Sequence, residues 1–439
     1  MSVSALLDRL FLHPSEHPWL IDTERAHRYG ALRDQLTQCR SQWPDLAGHK
    51  VGLVCGPLQQ MLPSLLALHQ VGAWPFLLDP ATASPTALAE SEGWVGWISS
   101  IDNQFHPLAE QTPHTAHRQN LTFYTSGSTG RPKAVTHQWS RMVAPAKIEP
   151  HYATTRWLMS YPGWLYAGLQ VIMQVLLNGA TLVVPDSTEP HLLAQTMADK
   201  AVTHASGTPT FWRRLLVFGQ GSVWHQSLQQ ITLGGEAVDQ PLLTGLRERV
   251  GEGVRITHIF ATSEHGRCFS VSDGLAGFPV AFLQQDEVDG VSLELREERL
   301  WIRPKHGMLG YESAQDVMEE GWRPTGDRVV IEKERVLFLG REGDLLNVGG
   351  HKVWPEQVEA KLRAVWGVVE LRLYGHPSQL TGVIPALEVV AAPNIETAEL
   401  EKRLRQTGQR QLAPYERPRL FKFVSQLSTR SSGKMQRSQ

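Results

Sequence analysis

Apolar positions along the chain follow two rhythms. Short runs such as KVGLVCG (50–56), PFLLDP (75–80) and ATLVVPD (180–186) are almost continuously apolar and end at Gly, Pro or Asp, the pattern of strands buried on both faces. Between them lie longer stretches with apolar residues three and four apart: LQQMLPSLLALHQVGA (58–73), HLLAQTMADKA (191–201), TFWRRLLVFG (210–219) and PLLTGLRERVG (241–251). These predict helices. With VTHASG and SLQQITLGG interleaved, the order strand, helix, strand predicts parallel βαβ units in a large α/β domain.

From about 290 to 340 the texture shifts to shorter alternating strands, VSLELREERLWIRP and DRVVIEKERVLFLG. After GREGD a smaller α+β unit is predicted: a helix at PEQVEAKLRAV, strands at VVELRLYG and ALEVVAA, and a helix near ETAELEKRLRQ. No period of 20 to 50 residues repeats, which disfavours a solenoid. The expected organisation is a large domain over 1–340 and a small one over 341–439.

Composition narrows the function. With 41% hydrophobic and 20% charged residues and a formal net charge of -2, the chain has no basic field for nucleic acid or acidic membranes. Anionic ligands must therefore be met by local charge. The start, MSVSALLDRLFLHPSEHPWL, lacks the basic region of a signal peptide, and the apolar run around VIMQVLLNGATLVV is broken well short of a membrane span. Cys39, Cys55 and Cys268 show no metal-type spacing, so a reduced, cytoplasmic protein without structural zinc is expected.

The chemistry concentrates in LTFYTSGSTGRPKAVTH (121–137). Backbone N–H groups on a turn containing Gly127 and Gly130 can cradle an anion, the hydroxyls of Thr125, Ser126, Ser128 and Thr129 add donors, and Lys133 adds a mobile positive charge. That reads as a phosphate cradle. It is not the Walker A loop, whose Gly-Lys-Ser/Thr is replaced by Arg131-Pro132-Lys133-Ala134, and no strand leads into Gly-x-Gly-x-x-Gly.

YTSGSTGRPKAV (124–135) resembles the phosphate-binding loop of the adenylate-forming superfamily of acyl- and aryl-CoA ligases, nonribosomal peptide adenylation domains and luciferases. Further matches follow in the family's order over nearly the whole chain. LLALHQVGAWPFLLDP (65–80) resembles an early motif expected to pack rather than react. LGGEAV (233–238) resembles the strand end bordering the adenine, implying that Gly235 and Glu236 lie there. FATSEHG (260–266) resembles the Tyr-Gly-x-Thr-Glu motif. By that resemblance Phe260 stacks on adenine with Ala261 beside it, Ser263 supplies a hydroxyl near the α-phosphate, and Glu264 holds magnesium. A hard cation bridging phosphates needs carboxylate oxygen, so Glu264 is chemically apt.

RPTGDRV (323–329) matches the Thr-Gly-Asp motif, implying that Asp327 accepts from both ribose hydroxyls. GREGDLLNVGGHKVWPEQVE (340–359) matches the motif opening the small domain, with Arg341 as a further ribose or phosphate contact. Gly343 stands where the family's hinge usually carries Asp or Lys, and is expected to be the pivot of a mobile small domain. STRSSGKMQR (428–437) matches the last motif, making Lys434 the catalytic lysine.

The resemblance implies that a carboxylic acid attacks the α-phosphorus of ATP, that pyrophosphate leaves, and that a thiol then takes the acyl group. Aligned on the family, Pro162 of SYPGWLYAGLQ stands where amino-acid-activating relatives carry an aspartate, so an α-amino acid is disfavoured. An apolar pocket of Trp164, Leu165, Gly168, Thr208, Pro209, Gly235 and Ala261 is expected to hold an aryl or medium-chain acyl acid. No fused carrier or condensation domain is legible, so the thiol is expected to be coenzyme A or the phosphopantetheine of a separate acyl carrier protein.

Overall fold

The continuous apolar runs become the inner strands of two sheets. The computed structural model describes residues 3–82, 84–108, 119–125, 133–312, 318–378 and 382–427. An eight-stranded sheet has the spatial order Gly266–Val271, Arg255–Thr262, Gln230–Gly234, His204–Gly207, Arg156–Leu158, Thr181–Val183, Pro18–Ile21, Ala26–Arg28. Its six inner strands are parallel and its two edges antiparallel. A seven-stranded sheet places Asn120–Thr125, Trp74–Leu78, Lys50–Val54 and Gly96–Ser99 side by side and parallel. Its margins are antiparallel: Gly310–Tyr311 and Lys133–Gln138 on one side, Phe105–Pro107 on the other. Parallel inner strands are covered on both faces, which is why these runs do not alternate. The alternating stretch forms a third, antiparallel sheet: Phe278–Pro279, Arg335–Arg341, Arg323–Glu332, Arg299–Pro304, Val291–Arg296.

Short polar side chains followed by proline start several helices. Ser84, Thr208 and Asp239 accept from the N–H groups of Ala87, Phe211 and Leu242. Pro85 and Pro209 take the first helical position, where the missing N–H costs nothing. Gly179, at φ +70°, ends the helix Tyr166–Asn178 in the left-handed conformation that favours glycine.

After Arg335–Arg341 the chain passes through the turn Glu342–Asp344 into a ribbon, Leu346–Val348 with His351–Val353. Helices Pro355–Arg363 and Thr397–Gln411 then pack on the antiparallel pair Val368–Ser378 and Gly382–Ala391, with Leu420–Phe423 parallel to the second. These elements enclose a separate core that includes Val358, Leu362, Leu371, Leu387 and Leu404. The molecule thus has a large N-terminal α/β domain and a small C-terminal α+β domain. No described helix is long and apolar enough to cross a membrane, and the three cysteines are buried free thiols.

The domains meet along the helix Pro209–Phe218. Its Arg213 lies 2.7 Å from Asp239, whose carboxylate also faces Arg363 of the small domain at 3.5 Å. Arg214 lies 3.9 Å from Glu370 of the strand Val368–Ser378. Burial raises the Glu370 carboxyl to about 7, more than that distant guanidinium offsets. Asp239 is therefore used twice, as helix cap and as counter-charge to two half-buried arginines. Asp239→Ala is expected to cost about 3 kcal/mol or more in urea unfolding. Asp239→Asn keeps a capping oxygen and is expected to lose less; equal losses would mean that the charge contributes nothing.

Candidate active site

The strands Asn120–Thr125 and Lys133–Gln138 pair with Thr125 opposite Lys133, so both ends of loop 126–132 emerge at one sheet edge. Ser126, Gly127, Ser128, Thr129 and Gly130 lie outside the described residues, as does Lys434. The Lys133 ammonium sits 5.1 Å from the centre of the Tyr311 ring, within cation–π range. The Tyr311 hydroxyl in turn donates to Glu264 Oε1 at 3.2 Å. Lysine and carboxylate are thus held on one aromatic side chain.

Glu264 belongs to a tightly fixed turn after the strand Arg255–Thr262. Thr262 Oγ1 accepts from the N–H of His265 at 3.0 Å, and the Glu264 carbonyl accepts from the N–H of Met308 at 2.8 Å. The Ser263 carbonyl lies 2.7 Å from His137 Nε2. A carbonyl can only accept, so Nε2 carries the proton. Burial holds the His137 ring neutral, its pKa lowered to about 4.

Thr325-Gly326-Asp327 interrupts the strand Arg323–Glu332 where its pairing with Arg299–Pro304 shifts register. Gly326 has φ +77°, and the N–H of Asp327 donates to Thr325 Oγ1 at 3.1 Å. The bulge aims a buried carboxylate outward. Arg341, opposite Asp327 on the next strand, donates to Oδ1 at 3.2 Å, and the Asp327 charge stabilises its cationic form. Asp327 Oδ2 is buried with no partner among the described residues.

These elements border a cavity of about 400 Å³, a usual size for a small-molecule site. Thr125, Lys133, Ser263, Glu264 and Arg341 line one end, with Gly235, Ala261 and Leu165 beyond them. The expected acid pocket is only partly realised. Trp164 and Thr208 line a second cavity of about 430 Å³, on the other side of the turn that precedes the helix Tyr166–Asn178. Gly168 is a packing position: a Cβ there would lie 2.1 Å from the Pro162 carbonyl oxygen. Pro209 is buried at the start of its helix. Glu236 reaches back to that helix, accepting from the Thr210 N–H at 3.0 Å and its hydroxyl at 2.8 Å. Phe260 does not line the cavity. Strand alternation turns it away from Ile259 and Ala261, and its ring stacks with Phe269 and Phe338 at 5.4 and 5.3 Å. Gly343 lies in the turn Glu342–Asp344, and a Cβ there would meet nothing within 4 Å.

The pocket also departs from the apolar lining expected. Gln170 and Gln174 face it from the helix Tyr166–Asn178, and Gln230, Thr232, Arg255 and Thr257 from the sheet. Tyr311 and His137 were not legible as site residues, because both act through tertiary contacts. The helix left a sequence signal: Ala167, Gln170, Val171 and Gln174 form one stripe at helical spacing, with two polar members.

Comparisons agree with this geometry. The AMP-binding enzyme family matches residues 47–311, and the AMP-binding enzyme C-terminal domain residues 357–434. The chain belongs to the AMP-binding enzyme family. It is 26% identical over 473 aligned positions to a 2-succinylbenzoate–CoA ligase of Bacillus mycoides, covering 98% of this chain and 96% of that one. It is 28% identical to the Listeria monocytogenes protein of the same name, covering 73% and 69%. Among solved structures it resembles a substituted variant of E. coli MenE with bound OSB-AMS (TM-score 0.76, 23% identity, 97% and 95% covered). It also resembles the anthranilate CoA ligase AuaEII in complex with anthranoyl-AMP (TM-score 0.78, 20% identity, 99% and 95% covered).

The protein is accordingly an acid–thiol ligase of the AMP-binding enzyme family; the reactants bound in a similar structure, the o-succinylbenzoate coenzyme A synthetase of Bacillus subtilis (19% identity, TM-score 0.74), are ATP and magnesium. Its residues fit those reactants. Asp327 Oδ2, buried with no partner among the described residues, offers an acceptor for a hydroxyl donor. No cluster of three or more metal-ligating side chains occurs among the described residues. A magnesium ion bound mainly through phosphates and water needs only one or two carboxylates, and Glu264 can supply one.

Because the folded pKa of His137 lies below the ordinary 6.5, its contribution to stability is present above pH 6.5 and is lost as pH falls through about 4. The unfolding free energy is expected to decline over that window. His137→Asn should flatten the decline while costing about 1–3 kcal/mol at pH 7 through the orphaned Ser263 carbonyl. An unchanged slope in urea titrations across pH would exclude His137 as its source.

Proposed function

We propose that this ligase activates an aryl or medium-chain acyl acid and releases it as the coenzyme A thioester. The observation carrying this reading is the cavity that joins Lys133, Glu264 and Arg341 to a chamber between helix and sheet. In this assignment the loop residues Ser126 to Gly130 and Lys133 hold the phosphates of ATP, and Ser263 donates near the α-phosphate. Asp327 takes the ribose hydroxyls and Arg341 supports it. The acid enters with its carboxylate toward Ser263 and its body between Leu165, Gly235 and Ala261.

Magnesium on Glu264 would neutralise phosphate charge. The protein's own part is positional: attacking oxygen and α-phosphorus are held in line, and fixed donors stabilise the charge that develops. Lys434 is assigned to the acid carboxylate and the transferring phosphoryl oxygens. No side-chain nucleophile is required. The proposed domain limits are 1–340 and 341–439, with the pivot at Gly343. The three buried free thiols fit a reducing cytoplasmic setting.

The decisive experiment is pyrophosphate exchange into ATP with a panel of acids: 2-succinylbenzoate, benzoate, anthranilate, medium-chain fatty acids and the amino acids. Thioester formation with free coenzyme A would then be measured for each acid that exchanges. Exchange with aryl or acyl acids and none with amino acids is expected; the reverse would overturn the reading. Adenylate formation without transfer to free coenzyme A would instead favour a carrier-protein thiol.

Asp327→Ala is expected to raise the ATP dissociation constant roughly 10- to 100-fold, the scale of a lost hydrogen bond to a charged acceptor. Acid preference should not change. Calorimetry showing unaltered ATP affinity would remove Asp327 from the ribose site.

A further inference from the structure

Tyr311, which holds Lys133 and Glu264 together, stands on a strand of two residues at the edge of its sheet. That strand, Gly310–Tyr311, pairs with Lys133–Gln138 so that Tyr311 lies opposite Val135 and Gly310 opposite Thr136. Backbone bonds flank it: the Leu309 N–H donates to the Thr136 carbonyl at 2.7 Å, and the Glu312 N–H to the Ala134 carbonyl at 3.2 Å. Side chains alternate between faces, so a slip of one residue would turn Tyr311 away from the reacting edge and bring Glu312 there, beside Glu264. A strand this short fixes its own register poorly.

The opposite face of the sheet supplies what the backbone lacks. Glu312 Oε1 accepts from the Thr136 hydroxyl at 2.9 Å, and Oε2 from the Lys50 ammonium at 3.0 Å. Thr136 lies 2.8 Å from the hydroxyl of Thr122, which in turn accepts from the Trp74 indole N–H at 2.8 Å. An indole can only donate and an ionised carboxylate only accept, so each proton in the row has one direction: Trp74 to Thr122, Thr122 to Thr136, Thr136 to Glu312. Thr122 and Thr136 are buried, and a displaced Glu312 would leave the row without its final acceptor. Lys50 is held as well. Its ammonium lies 4.7 Å from the centre of the Trp74 ring and 5.5 Å from that of Phe76. The side chains of Lys50 and Glu312 are only 23% and 19% exposed, a setting in which losing one partner costs more than at the surface.

We propose that Glu312 is a positioning residue for adenylate formation: seated on Thr136 and Lys50, it locks the register of the strand that carries Tyr311, and through Tyr311 it sets the spacing of Lys133 and Glu264. Lys50 and Thr136 act with it, and none of the three lines the cavity. The inference rests on the reading that Lys133 and Glu264 receive the phosphates of ATP and magnesium. It adds that their spacing is decided on the far side of the sheet.

The test measures ATP binding to the full-length enzyme by calorimetry, with magnesium and with a chelator in its place, alongside pyrophosphate exchange and thermal melting. Glu312→Ala should weaken magnesium–ATP binding about 10-fold and raise KM for ATP in proportion, with KM for the acid almost unchanged. Tyr311→Phe removes only the bond to Glu264 and should weaken binding in the same sense. Since Glu312 acts through Tyr311, the double variant should bind no more weakly than Glu312→Ala alone. Glu312→Gln keeps an oxygen for Thr136 but turns an amide N–H toward Lys50. Adding Lys50→Met removes that mismatch while keeping the stem on Trp74, and should recover most of the loss. A merely structural Glu312 would lower the melting temperature without changing ATP affinity, or would add in full to Tyr311→Phe; either result overturns the proposal and leaves the ligase reading intact. Should Glu312→Ala fail to fold, Glu312→Gln decides instead, and parental magnesium–ATP affinity in that variant overturns the proposal. Unaltered magnesium dependence of ATP binding in Glu264→Gln would overturn the underlying site reading together with it.

Discussion

One hydrogen bond sets the geometry of this enzyme: the buried ring of His137 donating to the carbonyl of Ser263. His137 belongs to the seven-stranded sheet, and Ser263 follows the last parallel strand of the eight-stranded sheet. The two sheets arise from distant parts of the chain, and this contact fixes their relative height at the reacting edge. Tyr311 adds a second tie, between the sheet that carries Lys133 and the turn that carries Glu264. Charge placement here is a consequence of sheet docking. Neither strand end could hold lysine and carboxylate in register by itself.

Much of this architecture was legible in the sequence, because buried parallel strands and amphipathic helices leave opposite periodicities. The runs at 50–56 and 180–186 correspond to strands of the two sheets, and the helical patterns at 191–201 and 241–251 to the helices Pro190–Asp199 and Gln240–Val250. Thr125, Lys133, Ser263, Glu264 and Arg341 converge on one cavity as the motif order implied. What failed to read were directions. Phe260 and Ala261 are adjacent in sequence, yet pleating sends one into the third sheet's aromatic stack and the other into the cavity. Trp164 and Leu165 part in the same way across the start of a helix. A motif fixes the identity of a residue more readily than the face it occupies.

The helix Pro209–Phe218 connects two parts of the molecule that the sequence treats separately. Its first turn is capped by Thr208 and grips Glu236, just beyond the strand end beside the cavity. Its middle carries Arg213 and Arg214 against the small domain. Beside these ions Val217 and Phe218 at the end of the helix pack on an apolar cluster of Val369, Val390 and Leu427, while Glu370 is held near neutrality by burial. The ion pairs give orientation at modest net energy, and the apolar cluster supplies burial beside them.

The turn Glu342–Asp344 determines where freedom of movement can start. Arg341 is paired in register with Asp327, and Glu342 is gripped by Arg299 at 2.7 Å and Arg328 at 2.8 Å, both from the large domain. The chain is therefore anchored up to the residue before Gly343. A rotation of the small domain about this turn would carry the ribbon, its helices and its sheet away, but leave the Asp327–Arg341 pair standing. Any ligand gripped by that pair would then stay with the stationary body while the small domain turned a different face toward it.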